Sequence, residues 1–246
     1  MNGNVLILGA TSALGRALAE SLAARGAGLA LASRRPGELD RLASDLSIRF
    51  GVRARTYRFD ALDFPSHPAF LGEVLEDFPD LEGAILVFGF MGREEESWKD
   101  PEAARRVIDS NLTGAVSILV PLANYFEKRG EGFLCAVSSV AGDRGRKKNM
   151  TYGAAKAGLS VYMQGLFQRL APTKVKVVLV KPGFVDTPMT FPLGKLPFLV
   201  SPEKAAAHIL KALEKGKPLL YTPWIWRWIM LAIRAVPNFI FKKMKF

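Results

Sequence analysis

The fold is decided by the stretch VLILGATSALG at residues 5–15. Its first four residues are apolar, which predicts a short buried strand, and apolar residues recur at helical spacing from Gly15 to Arg25. Between the strand and the helix, Gly9 and the small residues after it let the main chain approach a pyrophosphate, whose charge then lies at the helix N-terminus. A tight turn that only begins the helix is the alternative, because the stretch lacks the spacing G-x-G-x-x-G.

Outward from this stretch, short apolar runs alternate with helical patterns along the whole chain. The further strands are predicted at residues 29–32, 53–59, 84–88, 132–138, 175–180 and 219–221, and the further helices at 36–50, 101–128, 152–170 and 202–214. Apolar strands separated by helices predict a parallel sheet that is covered on both faces. The predicted fold is therefore α/β, a doubly wound parallel sheet of about seven strands, in which a ligand lies beyond the carboxyl ends of the strands.

Composition argues against several classes of function. A single cysteine, Cys135, is incompatible with a disulfide framework, and the histidines His67 and His208 lie far apart, so no metal site is predicted. The formal charge is +11, but no helix-turn-helix, zinc-finger or RNA-recognition pattern accompanies it, so no nucleic-acid partner is predicted. The sequence shows neither a signal peptide nor roughly 18 to 20 consecutive apolar residues, which predicts a cytoplasmic protein.

The second predicted strand ends in Ser33-Arg34-Arg35. At this position an NAD site usually offers an acidic side chain to the ribose 2′-hydroxyl, whereas a basic side chain suits the 2′-phosphate of NADP. NADP(H) is therefore the predicted cofactor; the alternative is that both arginines are solvated charges at the start of a helix. After the third strand, Asp60 is predicted to accept a hydrogen bond from the adenine amine, to cap a helix, or both.

A second constellation lies in the C-terminal half. Tyr152 and Lys156 are four residues apart, which places the phenol and the ammonium on one face of a helix. A nearby cation lowers the pKa of a phenol, so Tyr152 is predicted to exchange a proton near neutral pH. Ser139 ends the fifth predicted strand, and its hydroxyl is expected to hydrogen-bond the same carbonyl oxygen as the phenol.

These residues resemble those of the single-domain short-chain dehydrogenases and reductases, which have a Rossmann-type fold. The matches are ordered and span nearly the whole chain: residues 9–15, Asp60, Asn111-Leu112-Thr113-Gly114, Ser138-Ser139, the pair Tyr152 and Lys156, and residues 182–187. A Tyr-x-x-x-Lys motif that follows a strand-end serine at this spacing is specific to the family. The resemblance implies carbonyl chemistry and a homo-oligomer.

The resemblance also assigns roles residue by residue. Tyr152 is the expected acid/base, and Lys156 tunes it and binds the nicotinamide ribose. Ser139 orients the carbonyl and Asn111 supports a proton-relay water, while residues 182–187 contact the nicotinamide carboxamide. The expected cofactor residues are Gly9, Thr11, Ser12, Leu14, Gly15, Ser33, Arg34, Arg35, Asp60, Ala61, Gly89, Phe90, Tyr152, Lys156, Pro182, Gly183, Val185 and Thr187.

Two departures from the family pattern point to a narrower subgroup. Ala13 replaces the middle glycine of the first turn, and Phe88-Gly89-Phe90-Met91 stands where the family has Asn-Asn-Ala-Gly. The subgroup that the chain resembles comprises the reductases of decaprenylphosphoryl-2-keto-erythro-pentofuranose. The resembling stretches are residues 59–63, 66–68, 88–92, 141–149, 152–153 and 233–243. This resemblance implies a keto-sugar on a polyprenyl phosphate as substrate.

A basic loop, residues 143–149, lies between Ser139 and Tyr152 and carries four cations. Such a loop at the catalytic mouth suits a phosphate or phosphodiester on the substrate. Arg146 and Lys147, together with Phe184, are therefore the predicted substrate residues. A solvated loop, or one that binds a neighbouring subunit, is the alternative.

Residues 222–246 are predicted to form a basic amphipathic extension to a reductase domain at 1–221. The extension holds five Lys or Arg residues and no acid, and an aromatic-rich helical pattern at 224–234 precedes Pro237. Tryptophan and cations around an apolar face suit an interfacial helix on anionic lipid, which would make the protein peripheral on the inner face of the membrane. Packing on its own domain, or across a dimer, is the alternative.

The sequence thus predicts an NADP(H)-dependent enzyme that reduces a small-molecule or lipid-linked carbonyl. Two rivals stay open within the nucleotide-binding fold: a 3-oxoacyl carrier-protein reductase or other short-chain carbonyl reductase, for which a basic face would suit an acidic carrier, and a non-catalytic NADP(H)-binding sensor. A binder of nucleic acid driven by charge alone is the third rival.

Overall fold

The computed structural model describes residues 2–191, 194 and 196–244, and a seven-stranded sheet runs through them. The strands are β1 Val5–Leu8, β2 Leu29–Ser33, β3 Ala54–Arg58, β4 Gly83–Leu86, β5 Glu131–Val137, β6 Lys174–Pro182 and β7 Leu219–Thr222. Their order is β3-β2-β1-β4-β5-β6-β7 and every pairing is parallel. The predicted doubly wound parallel sheet is confirmed.

Helices cover both faces of the sheet. They are α1 Ala13–Ala23, α2 Pro36–Phe50, α3 His67–Asp77, α4 Glu94–Ser97, α5 Pro101–Ile108, α6 Gly114–Arg129, α7 Met150–Arg169, α8 Pro202–Glu214, α9 Ile225–Ala235 and α10 Asn238–Phe241. A π-helical turn, Asp109–Thr113, joins α5 to α6, so the predicted helix at 101–128 is widened in its middle. Helices α3 and α4 were not predicted, although α3 buries residues at the helical spacing His67, Phe70, Leu71 and Val74.

The first strand shows why the sheet is buried on both faces. Val5 and Ile7 pack with α1, α2 and α8, whereas Leu6 and Leu8 point to the opposite face and pack with α3, α6 and α7. All four side chains are at most 1% exposed. The two-residue period of a strand therefore divides one apolar run between two cores.

The order in which the chain adds strands to the sheet reverses at β1. This strand pairs with β2 on one side and with β4 on the other, so the connections after β1 and after β4 lead away from each other. A crevice opens at such a switch point, beyond the carboxyl ends of the strands. The residues after β1 and β4, at 9–15 and 87–92, stand at this crevice.

The continuous helical path Pro101–Arg129 is the one described helix whose length and mean hydropathy, 1.2, would allow it to cross a membrane. Half of the apolar window is buried inside the chain, where α6 packs between the sheet and α3 and α7. A core helix passes the same test of length and composition, so this feature carries no conclusion about a membrane.

The predicted C-terminal extension begins inside the sheet, because Thr222 is the last residue of β7. Its helix α9 buries Trp226 and Met230 against Val140 and Phe184. Lys245 and Phe246, at the end of the predicted extension, lie outside the described residues.

Candidate active site

A cleft of about 510 Å³ occupies the switch point of the sheet, and we call it the switch-point cleft. Most of the predicted cofactor and catalytic residues line it: Gly9, Thr11, Ser12, Leu14, Ser33, Arg34, Arg35, Asp60, Ala61, Gly89, Phe90, Ser139, Tyr152, Lys156, Pro182, Gly183, Val185 and Thr187. Five predicted site residues do not line it: Gly15, Asn111, Arg146, Lys147 and Phe184. A volume of this size suits a small ligand or cofactor.

The turn between β1 and α1 has no room for larger residues. Gly9 has φ +94°, and a Cβ on it would lie 2.8 Å from the main-chain nitrogen of Phe88. A Cβ on Gly15 would lie 2.4 Å from the carbonyl oxygen of Gly9. Ser12 closes the turn, because its hydroxyl donates to that same carbonyl at 2.8 Å and accepts from the Gly15 N–H at 3.0 Å. Glycine is therefore required at residue 15 because the helix packs closely against the turn there. The methyl group of Ala13, in contrast, is accommodated on the cleft wall.

The end of β2 brings a small cluster of charges to the cleft. Arg35 and Arg16 both pair with the carboxylate of Glu38, at 2.7 and 3.0 Å. Arg34 is exposed, and within the described part of the chain no ion pair engages its guanidinium. The Ser33 hydroxyl accepts from the N–H of Arg35 at 3.1 Å and fixes this turn. A net positive charge thus remains at the end of β2.

Asp60 sits after β3 and caps a turn. Its carboxylate accepts from the N–H of Leu62 at 3.1 Å, and its carbonyl accepts from Nε2 of His67 at 2.9 Å. His67 is fully buried, stacks on Phe59 and also bonds to Ser117, which gives it a structural role. Asp60 lines the switch-point cleft.

Asn111, in the π-helical turn, braces the irregular segment after β4. Its amide donates to the carbonyls of Phe90 and Val107, at 2.5 and 2.8 Å, and its oxygen accepts from the Phe90 N–H at 3.2 Å. A Cβ on Gly89 would lie 2.8 Å from that oxygen. Asn111 therefore holds the main chain that the family's missing asparagine pair would otherwise brace.

Lys156 is buried behind this segment. Only 2% of the residue is exposed, and its ammonium donates to the carbonyl of Val137 at 3.0 Å. The hydroxyl oxygens of two buried serines, Ser138 and Ser160, lie 2.8 Å apart and 2.8 and 2.7 Å from the Lys156 carbonyl oxygen, and their two protons are shared among these three contacts. This network ties α7 to the end of β5. Burial lowers the pKa of Lys156 from 10.5 to about 8.

Tyr152 is likewise buried, with 8% of the residue exposed. Burial raises the pKa of Tyr152 to about 12, while a hydrogen bond with Ser139 opposes the rise. The prediction that Lys156 lowers the pKa of this phenol is wrong: the ammonium lies 5.7 Å from the ring centroid and donates to Val137, and loss of water around the phenol dominates. The phenol therefore holds its proton at neutral pH.

Ser139 lies just after β5 and is oriented by its own main chain. Its hydroxyl oxygen accepts from the N–H of Ala141 at 3.0 Å, as the cap of the short helical turn Val140–Asp143. The same hydroxyl bonds to Tyr152. Two oxygens with movable protons thus converge on one wall of the cleft.

Glu94 is a site residue that the sequence did not reveal. It is buried, and its carboxylate accepts from the N–H of Thr151 at 3.2 Å and from the Thr151 hydroxyl at 2.8 Å. The indole of Trp98 donates to the same carboxylate at 3.2 Å. Glu94 therefore caps the first turn of α7 immediately before Tyr152. No local pattern links residues 57 apart in sequence.

The charged side chains of the basic loop 143–149 make three kinds of contact. Asp143 forms a buried ion pair with Lys181 and accepts from the hydroxyl of Tyr221 at 2.9 Å. The guanidinium of Arg144 donates to carbonyl groups at the end of α9. Lys147 lies 5.5 Å above the ring of Trp98. Arg144 is therefore a structural clamp rather than a free cation.

Arg146 keeps unsatisfied hydrogen-bonding capacity. Its Nε is buried and has no hydrogen-bond partner among the described residues, and the same holds for Oδ1 of Asn149 in this loop. Burial lowers the pKa of Arg146, and the carboxylate of Asp143 opposes that shift. A buried N–H donor without a partner costs free energy, so this loop is suited to a polar ligand.

The burial of Lys156 predicts that its ammonium loses its proton at a lower pH than an exposed lysine does. In an NMR pH titration of the lysine Cε–Hε signals, one lysine should lose its proton near pH 8, and this signal should vanish in Lys156→Met. The exposed Lys128→Met variant should leave it in place. If every lysine titrates near the unperturbed value of about 10.4, Lys156 is not desolvated as described.

Comparisons with known proteins agree with this geometry. The family model described as short chain dehydrogenase matches residues 3–195. An uncharacterized oxidoreductase of Mycobacterium tuberculosis is 35% identical over 240 residues, covering 98% of this chain and 96% of that protein. Another, of Streptomyces coelicolor, is 38% identical over 242 residues, covering 98% and 95%.

Among solved structures, a short-chain dehydrogenase from Sphingobium yanoikuyae in complex with NADPH superposes with a TM-score of 0.81 at 25% identity, covering 99% of this chain and 96% of that one. The family expected from the sequence is confirmed, whereas the narrower resemblance to reductases of decaprenylphosphoryl sugars is not reflected in these relatives. The chain is therefore an oxidoreductase that belongs to the short-chain dehydrogenase family.

Proposed function

We propose that this oxidoreductase uses NADP(H) and reduces a carbonyl group to an alcohol. The observation that carries the proposal is the convergence of Tyr152, Ser139 and Lys156 on one wall of the switch-point cleft. A protonated phenol, a hydroxyl bonded to it and a buried amine are suited to proton transfer to a carbonyl oxygen. The NADPH-bound structure of the Sphingobium relative supports the choice of cofactor.

The first half of the cleft fits a dinucleotide. A side chain at Gly9 would collide with the main chain of Phe88, so the turn before α1 presents bare backbone to the cleft at this residue. The N-terminus of α1 follows at once, and its partial positive charge favours a pyrophosphate. Asp60 and Ala61 would hold the adenine end, while Pro182, Gly183, Val185 and Thr187 would hold the carboxamide end.

The reaction divides between cofactor and protein. When bound, the nicotinamide supplies a hydride to the carbonyl carbon. Tyr152 donates its proton to the carbonyl oxygen, and a pKa of about 12 keeps that proton available at neutral pH. The Ser139 hydroxyl, fixed by Ala141, would hold the same oxygen, so the step yields an alcohol and a tyrosinate that must then be reprotonated.

Lys156 and Asn111 act at the rear of the cleft. Lys156 would bind the nicotinamide ribose and return a proton toward Tyr152, since its pKa of about 8 lets it exchange protons near neutral pH. Asn111 would support a relay water, and its bonds to Phe90 and Val107 hold the adjacent wall in place.

The substrate that we propose is the 2-keto group of a sugar carried on a polyprenyl phosphate. Arg146 and Asn149 offer an unpaired N–H donor and an unpaired acceptor oxygen, which suits a phosphorylated, hydroxylated molecule. Lys147 is exposed beside them. Phe184, packed against Trp226 on the other side, would contact the sugar or the start of the lipid.

A homo-oligomer is part of the proposal as well. Three apolar side chains stand exposed on neighbouring helices, Val120 on α6 and Val161 and Phe167 on α7, at 42%, 66% and 49%. Apolar side chains exposed on neighbouring helices are suited to contact with another protein. A second copy of the chain, covering this helical face, would bury it.

The charge cluster at the end of β2 yields a test of cofactor choice. Fluorescence titration should show that wild type prefers NADPH over NADH by tenfold or more, about 1.4 kcal/mol. Arg34→Ala should lose most of this preference while NADH binding stays constant, because only the 2′-phosphate contact is removed. Arg41→Ala, an exposed arginine on α2, is the matched control. Equal affinities in wild type, or an equal loss for both nucleotides in Arg34→Ala, would contradict the assignment.

The loop 143–149 yields a test of the substrate. The double variant Arg146→Ala with Lys147→Ala should raise KM for a phosphorylated keto-sugar more than for a neutral ketone, because only the former loses an ionic contact. Lys128→Ala with Lys215→Ala removes the same charge from exposed helix ends and should change neither KM. Equal effects on both substrates would exclude the phosphate role. Efficient turnover of an acetoacetyl thioester instead of sugars would favour a 3-oxoacyl carrier-protein reductase.

A further inference from the structure

Helix α9 has two opposite faces. Trp226, Met230 and Ile233 recur at helical spacing and pack on Val140 and Phe184 of the domain. The stripe of Trp224, Trp228 and Leu231 is offset by two residues, which is about 200° around a helix, and it points to solvent. These three side chains are 69%, 56% and 55% exposed. The helix therefore packs on its own domain and still presents a large apolar stripe.

Helix α10 adds to this exposed surface. Phe239 and Ile240 are 67% and 45% exposed, and Lys242 and Lys243 follow at the surface. Arg144 joins the two helices, because its guanidinium donates to the carbonyls at Ile233 and Val236 at 2.5 and 2.6 Å. It also lies 3.8 Å from the ring centroid of Phe241. Arg144 thus holds α10 against α9.

A third exposed element lies in the loop before α8. Phe198 and Leu199 are 53% and 44% exposed, and the ring of Phe198 lies 6.4 Å from that of Trp226. Phe198 also has φ +55°, a conformation that a phenylalanine adopts only when its surroundings enforce it. This segment therefore adds aromatic surface beside α9.

The charge and the tryptophans of this region indicate what kind of partner it binds. Residues 222–246 carry five Lys or Arg residues, no acid and three of the four tryptophans. Arg227 and Arg234 lie seven residues apart, about two helical turns, and both border one side of the exposed stripe of α9. Lysine is depleted at protein–protein interfaces, whereas tryptophan beside lysine and arginine is typical of helices at an anionic membrane surface.

We propose that α9, α10, Phe198 and Leu199 form a lipid-facing platform that docks the protein on an anionic bilayer. The platform borders the site: the indole of Trp226 packs so closely on Gly183 that a Cβ there would lie 1.9 Å from Nε1. Arg144 links it to the turn that Ser139 caps. Docking therefore brings the catalytic mouth to the lipid surface, where the proposed polyprenyl-linked substrate resides; this last step rests on the proposed function.

Vesicle co-sedimentation tests the platform with the full chain. Wild type should sediment with phosphatidylcholine vesicles that contain phosphatidylglycerol and much less with phosphatidylcholine alone. Trp224→Ala with Trp228→Ala should lower partitioning at least tenfold, whereas Ile48→Ala, which removes an apolar side chain 84% exposed on α2, should not. Lys242→Glu with Lys243→Glu should also lower it, while Lys128→Glu with Lys215→Glu changes the net charge equally and should have a far smaller effect.

A parallel assay separates this proposal from the proposed function. Reduction of a soluble ketone by NADPH should be the same in the platform variants and in wild type, because the changed side chains lie outside the switch-point cleft. Wild type that stays in the supernatant, or variants that bind vesicles as wild type does, would overturn the platform even if reduction is normal. Tryptophan-dependent dimers in place of vesicle binding would overturn it too. Vesicle binding without any carbonyl reduction would overturn the reductase and leave the platform standing.

Discussion

The burial of the Lys156 ammonium is the constraint on which the rest of the site depends. A charged group with 2% exposure must find acceptors, and the carbonyl of Val137 at the end of β5 supplies one. Ser138, directly after that strand, lies within hydrogen-bond distance of the Lys156 carbonyl and of Ser160 on the same helix, and so fastens α7 to β5. Because Tyr152 lies one turn earlier on α7, the helix cannot shift along β5 without breaking these bonds, and the phenol keeps its place beside Ser139.

The start of α7 is held as firmly as its middle. The carboxylate of Glu94 accepts from the main chain and the hydroxyl of Thr151, and so satisfies a helix N-terminus that has no cap of its own. The adjacent segment after β4 is braced by Asn111, which bonds to the main chain of Phe90 where the family's asparagine pair is missing. Three contacts between distant parts of the chain thus fix the geometry of a site whose individual residues are common.

The sequence predicted best those parts of the fold and the site whose signal lies within one short segment. Such features are the apolar run of β1, the glycine turn after it and the four-residue spacing of Tyr152 and Lys156. The resemblance to a known family then indicated that they belong to one site. The helix α3 had such a signal as well, at His67, Phe70 and Leu71, and could have been predicted.

What the sequence could not reveal depends on burial and on long-range contacts. The pKa of Tyr152 rises because the folded chain removes water from the phenol, which no spacing shows. Glu94 reads as part of a charged run and becomes a buried cap only when α4 meets α7. Arg144 reads as one of four cations at the mouth, yet the fold commits it to the carbonyls of α9. Likewise, only the structure shows that one face of the C-terminal helix packs on the domain while the other stays exposed.

We propose that Tyr152 donates the proton when a hydride reaches a carbonyl carbon in this cleft. A stopped-flow single turnover of prebound NADPH with a reducible ketone, in wild type and in Tyr152→Phe, tests it most directly. We expect NADPH to bind both proteins, and the rate of NADPH oxidation to fall about 10² to 10⁴-fold in the variant, the range of general acid catalysis. An undiminished rate in Tyr152→Phe would contradict proton donation by Tyr152, and NADPH binding by wild type without turnover of any carbonyl would favour a nucleotide sensor.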